Sequence, residues 1–249
     1  GSLYTDYTQK DKIIKEASRH RVGRIIIVGD IIEGTKYALK DSRLEQGMET
    51  NFIQQYAAVS IIKDLASSTK ELVIIPGNHD VWVRDDFYEI LNHFKNKAIF
   101  RDFIRIFNEE LYKEIQALEQ NIPVFLILKR EIKSDNVVIY DDQPVKHDKL
   151  WLKHEFKGGS KSTTYTLENG LSDMPRECDV LILGNYHELT SLAKKIGGNI
   201  VVGLLVGTWK RKDPFEAHLG KVSETGSWFL ELSRDEAGRI LKIKEFIIA

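Results

Sequence analysis

The most constraining feature of this chain is a pair of short aliphatic runs, Arg24–Val28 (RIIIV) and residues 72–75 (LVII), with an amphipathic stretch between them. Runs of four or five aliphatic residues without polar alternation offer no face to water. They read as strands of a sheet covered on both sides. Between them, Asn51–Ser67 repeats Phe52, Ile53, Tyr56, Ala57, Ile61 and Leu65 at helical spacing. Strand, helix and strand in that order predict a right-handed parallel βαβ unit.

Both strands stop at a glycine and hand over to polar residues. The first continues as Gly29-Asp30-Ile31-Ile32-Glu33, the second as Pro76-Gly77-Asn78-His79-Asp80. The pattern returns twice. Residues 150–155 (LWLKHE) form an aliphatic run ending near His154, and residues 180–183 (VLIL) lead straight into Gly184-Asn185-Tyr186-His187. Asn-His after one strand would be an ordinary polar turn. Four such endings are different, because an α/β sheet brings its carboxyl ends to one edge, where ligands bind. That edge would collect a carboxylate, two amides and several imidazoles. Mixed nitrogen and oxygen donors suit manganese, iron or zinc better than calcium or magnesium. A pair of such ions can stabilise both the attacking and the leaving oxygen of a displacement at phosphorus.

The remaining chain reads as supporting structure. A helix is predicted over residues 10–20, an exposed loop over 35–49, and helices over 85–97 and 101–120. Strands are predicted over 123–132, 136–140, 150–155, 180–183 and 200–206, with a loop over 156–165. Residues 228–232 and 240–248 form an antiparallel pair across Asp235-Glu236-Ala237-Gly238. With 42% hydrophobic and 29% charged residues in 249, a packed core is expected. The net charge of −1 argues against a whole-surface grip on nucleic acid or anionic membrane, while leaving room for a local basic site. Lys210-Arg211-Lys212, beside Trp209, is either a solvated loop or such a site, where phosphate contact and base stacking would combine. No run of about 18 apolar residues is present. The single cysteine, Cys178, excludes an internal disulfide and a cysteine-based zinc site, and a reducing, cytoplasmic setting fits. His20, His93, His147 and His218 read as surface or helix-end residues.

These motifs resemble those of the calcineurin-like metallophosphoesterases. Gly29-Asp30-x-x-Glu33 is similar to the GDxxD/N/E block, and Gly77-Asn78-His79-Asp80 matches the GNHD/E block in full. His154 stands where the family has an isolated strand-end histidine. Gly184-Asn185-Tyr186-His187 resembles the GHxH block with its first histidine replaced. The resemblance covers about residues 1–232. It implies a four-layer αββα sandwich of two mixed β-sheets flanked by helices, in a single domain over 1–249 with a cap or insertion at about 81–149. It also implies two divalent metal ions, with manganese preferred and iron, zinc or nickel as alternatives. Asp30 would bridge the ions, Asn78 and His154 would bind the second, and His187 the first, with Asn185 a weaker ligand. His79 would polarise the phosphate or protonate the leaving oxygen, with Asp80 as its orienting carboxylate and Glu33 behind the metal ligands. The nucleophile would be a metal-bound hydroxide.

Two departures accompany the resemblance. The D-x-H block that opens the family has no counterpart here, and Gly1-Ser2 stands where it would end. Asp6 is the only early carboxylate and is not counted as a ligand. Asn185 replaces the first histidine of GHxH. The expected activity is hydrolysis of a phosphodiester of nucleic-acid or nucleotide type, with Lys210 and Arg211 as candidate substrate contacts and no membrane partner. The alternatives are a phosphomonoesterase, protein phosphatases included, and a phosphoesterase-like binding module that has lost turnover.

Overall fold

The computed structural model describes residues 8–32, 51–81, 123–155, 162–209 and 223–249. Helix α1 (Thr8–His20) leads into β1 (Arg24–Val28), and α2 (Asn51–Ser67) into β2 (Glu71–Ile75). Then come α3 (Pro123–Glu131), β3 (Val137–Ile139), β4 (Val145–His147), β5 (Leu150–His154), α4 (Thr163–Asp173), β6 (Val180–Gly184), β7 (Thr190–Ile196), β8 (Asn199–Leu205), β9 (Ser227–Arg234) and β10 (Ile240–Ile248). The predicted helices at 85–97 and 101–120 lie outside the described residues, as do Glu33, His93, Lys210, Arg211 and His218.

The predicted βαβ unit is present. β1 pairs in parallel with β2, and β2 with β3, giving the order β1-β2-β3. As described this sheet is purely parallel, whereas a mixed one was expected. The second sheet is mixed, with the order β4-β5-β6-β8-β7. β5, β6 and β8 run parallel at its centre, while β4 and β7 run antiparallel at its edges. β9 and β10 make the expected antiparallel pair.

Three apolar clusters define four layers. Ile62 and Leu65 of α2 and Phe125 and Leu128 of α3 pack on Leu72 and Ile74, one face of the first sheet. Val73 and Ile75, on its other face, meet Leu152, Val180, Ile182 and Val202 of the second sheet. The far side of that sheet, with Leu181, Leu183 and Leu205, is covered by Leu167 and Leu171 of α4. Alternate residues of β2 and β6 thus enter different clusters, as the two-residue period of a strand requires. The result is an αββα sandwich.

Two expectations are corrected. Residues 123–132 were expected as a strand, but 123–131 form α3. Val124, Phe125 and Leu128 of the helix, and Ile132 just past its end, are buried, a spacing that belongs to a helix. The expected loop over 156–165 is interrupted at Ser162, which caps α4: its side chain accepts from the Tyr165 amide. The cap or insertion expected at about 81–149 falls largely on residues 82–122, which lie outside the described residues; within 123–149, α3, β3 and β4 add to the sandwich.

The outer edge of β1 has no strand partner among the described residues. A cavity of about 1430 Å3 runs along it, lined by Arg21 and Gly23 at the start of the strand, by Trp228 and Leu230 of β9, and by Asp30 and His79 beyond its end.

Candidate metal centre

The site lies at the carboxyl ends of β1, β2 and β5. It depends on unusually close packing of three chain segments. Gly29 has φ +79, and a Cβ there would sit 2.3 Å from Nδ1 of His154. Both the backbone conformation and the space therefore demand glycine. Gly184, at the end of β6, approaches from the other side: a Cβ would fall 2.5 Å from the Val28 carbonyl and 2.6 Å from the same Nδ1. The His154 ring sits between these glycines, with 3% of the residue exposed.

His154 is held at both nitrogens. Nδ1–H donates to the Val28 carbonyl at 2.8 Å, since a carbonyl oxygen can only accept. That turns Nε2 toward two oxygens, Asn78 Oδ1 at 2.9 Å and Asp30 Oδ2 at 3.1 Å. The other Asp30 oxygen accepts from the His79 backbone amide at 2.9 Å. Two oxygens facing one ring nitrogen need a positive charge between them, either a proton on Nε2 or a divalent cation among the three atoms. Burial opposes charge on both Asp30 and His154, but their mutual attraction outweighs it. The carboxyl is held below its ordinary range and the imidazole is pushed above its own.

Asp80 is fully buried. One of its oxygens accepts from the amides of Gly77 at 2.9 Å and Ile31 at 3.3 Å, and the other from Ile32 at 3.2 Å. It was expected to orient the His79 imidazole. Its oxygens hold backbone of the two loops that carry Asp30 and Asn78, so it clamps those loops together. Burial, and then the charge of Asp30, push its carboxyl upward, against the pull of those three amides.

Asn185 and His187 occupy the turn after β6 and line the same cavity as Asp30, His79 and His154. Both have left-handed backbone, φ 83 and φ 55, and so does Asp30 at φ 53. Such conformations cost about 1–3 kcal/mol and gather at functional sites. The His187 carbonyl accepts from the Glu224 amide at 2.8 Å. Among the described residues, no three His, Cys, Asp or Glu side chains close into a metal-holding group. Asp30, His154 and the Asn78 amide form a close donor set, and His187 lines the same cavity. Glu33, Lys210 and Arg211 fall outside the described residues.

Two features escaped the sequence reading. His147 was expected at the surface but is buried, with Nδ1 2.9 Å from the Tyr140 hydroxyl and Nε2 3.3 Å from Glu71. Gln143 accepts from the His154 backbone amide through its side-chain oxygen.

The layers and the donor set define a class, an α/β sandwich that offers carboxylate, amide and imidazole donors at its strand ends. The model of the calcineurin-like phosphoesterase family matches residues 5–204, and the chain belongs to that family. Comparison with curated proteins returns no match. No helix among the described residues is long and apolar enough to cross a membrane. Membership supports a metal-dependent phosphoesterase in general, a hydrolase acting on phosphate esters.

Proposed function

We propose that the chain hydrolyses phosphodiesters of nucleic-acid or nucleotide type with the help of two divalent ions, manganese foremost. The observation that carries the reading is the convergence of Asp30 and Asn78 oxygens on Nε2 of His154, with Nδ1 committed to a carbonyl. That donor set fits one borderline divalent ion. The other ion would draw on Asp30 together with His187, and Asn185 would be a weaker ligand beside Asn78 and His154; the turn that carries Asn185 and His187 lines the same cavity. When bound, such an ion supplies Lewis-acid polarisation of a phosphoryl oxygen and acidifies an adjacent water.

The chain's own residues do the rest. Asp30 holds the His79 backbone through its second oxygen, which fixes where the His79 imidazole begins. His79 lines the cavity and is proposed to donate a proton to the leaving oxygen. Asp80 keeps the two loops in register by taking three of their amides. Lys210 and Arg211 remain candidate contacts to a diester backbone.

A competing reading, a phosphate-binding module without turnover, draws on the lack of a three-residue His, Cys, Asp or Glu group among the described residues. The test is incubation with Mn2+ and bis-p-nitrophenyl phosphate beside p-nitrophenyl phosphate. Diester turnover that exceeds monoester turnover and disappears in Asp30→Ala and His79→Ala supports the proposal. Faster monoester turnover makes the chain a phosphomonoesterase. Mn2+ uptake with no turnover of either ester establishes the binding module.

A further inference from the structure

We infer that Gln143 is a positioning residue for His154 and thereby sets the divalent-cation affinity of the site, an inference that rests on the metal reading above. It starts from strand register. β4 and β5 are joined by the two-residue turn Asp148-Lys149, and their pairs run His147↔Leu150, Lys146↔Trp151 and Val145↔Leu152. In an antiparallel hairpin, mutually hydrogen-bonded pairs alternate with non-bonded ones. The bonded series that includes His147↔Leu150 and Val145↔Leu152 would next reach Gln143 and His154. The ladder has ended by then. In a regular ladder the main-chain carbonyl of residue 143 would receive the His154 amide. The side-chain oxygen of Gln143 receives it instead.

The side chain thus completes the ladder at the one position that carries the imidazole. His154 is in register with Gly184 of β6 on the other side, and its backbone amide is tied to Gln143. With the backbone fixed, the ring reaches Val28, Asn78 and Asp30 at 2.8, 2.9 and 3.1 Å. The amide orientation follows from chemistry: a backbone N–H can only donate, so the oxygen must face it. The Gln143 Nε2 is left buried and without a hydrogen-bond partner among the described residues. An unpaired buried donor weakens stability. Gln143 therefore brings a local cost along with its bond to His154, as expected of a residue retained for positioning.

Partners behind a metal ligand typically alter metal affinity by about ten- to a hundredfold when removed. The experiment measures Mn2+ binding by isothermal titration calorimetry and the exchange rate of the His154 amide proton by NMR. Wild type is compared with Gln143→Met, Gln143→Asn and Gln143→Glu. Gln143→Met should bind Mn2+ about ten- to a hundredfold more weakly and exchange the His154 amide faster, while melting in EDTA close to wild type, because the stranded His154 amide replaces the unpaired Nε2. Gln143→Asn, too short to reach, should repeat the loss if the Met variant does not fold. Gln143→Glu, which still offers an oxygen to the amide, should restore both readouts. Wild-type affinity in the Met or Asn variant, or a Glu variant as weak as they are, overturns the inference. If wild type itself takes up no Mn2+, the metal reading fails. The His154 exchange rate then decides positioning alone: faster in Gln143→Met upholds it, unchanged overturns it.

Discussion

Single residues in this site act on the backbone as much as on a ligand. Asp80 is the clearest instance. Three amides from two loops donate to its carboxylate. Asp80→Ala should strand all three. At about 1 kcal/mol or more per buried unpaired group, the loss is about 3 kcal/mol or more, and a melt in EDTA should show a fall of roughly 10 °C for a chain of this size. Asp80→Asn, which keeps one acceptor oxygen and the shape, should fall between. The sequence located this residue within a GNHD block but not its hold on the backbone, because a motif does not say which backbone amides turn inward. Gly29 was legible only as part of a motif, whereas the structure shows its physical reason. Gly29→Ala would place a methyl 2.3 Å from Nδ1 of His154 at φ +79. Mn2+ binding should be abolished in a calorimetric titration while circular dichroism still reports α/β content. Gln143 was illegible, since nothing in the order of residues announces that a side chain will finish a strand ladder.

Among the elements, the βαβ unit was legible because RIIIV and LVII are unbroken aliphatic runs of strand length, and the β9–β10 pair because two apolar-rich stretches flank the turn residues Asp235-Glu236-Ala237-Gly238. α3 was not. Its sequence, PVFLILKRE, begins as an unbroken apolar run, and over five or six residues such a run fits a strand or a helix equally. The choice is made by tertiary contact: Val124, Phe125, Leu128 and Ile132 face the cluster shared with α1 and α2, while Lys129 and Arg130 face water. Truncation tests that phase. Phe125→Ala, at a position with no exposure, should destabilise by about 3–5 kcal/mol in urea denaturation. Lys129→Ala, which loses an exposed ion pair to Asp141, should change stability by less than about 1 kcal/mol. A strand would alternate instead and bury position 127 with 125, so Ile127→Ala should cost clearly less than Phe125→Ala. β7 was missed for the opposite reason. TSLAKKI is an edge strand with polar residues throughout, and only its pairing with β8 makes it a strand. α4 was hidden by threonines at its start, which favour loops until Ser162 caps the first turn.

Across the whole molecule, the two sheets are joined at both ends, by the donor cluster at the carboxyl ends of β1 and β2 and by an ionic network at their beginnings. In that network Arg24 of β1 pairs with Glu71 of β2 and reaches Asp148, in the β4–β5 turn of the second sheet, at 2.6 Å. His147 of the second sheet lies 3.3 Å from Glu71. The four-layer order could be expected from the sequence through its family motifs, but this clasp could not, because its members are scattered over positions 24, 71, 147 and 148 with no common pattern. It has a definite pH signature. Burial raises the Glu71 carboxyl, but the hydrogen bond from Arg24 and the neighbouring His147 ring outweigh it and hold it below its ordinary 4.5. Asp148 is held below 3.8, chiefly by Arg24. A carboxylate depressed in the folded state stabilises the fold above its unfolded pKa, and that contribution is lost as pH falls through the folded value. The clasp should therefore be complete above about pH 5, begin to weaken as pH falls past the ordinary carboxylate values, and be lost as pH falls on through the depressed folded-state values. Asp148 is largely exposed, so its share is screened by salt. Arg24→Met keeps the aliphatic stem and removes the charge. Urea midpoints of wild type and Arg24→Met should differ at pH 6, converge as pH drops toward 3, and lie closer together at pH 6 in 0.5 M NaCl than in low salt. A gap that persists unchanged at pH 3 would mean that Arg24 stabilises through packing of its stem, and that the donor cluster alone ties the sheets electrostatically.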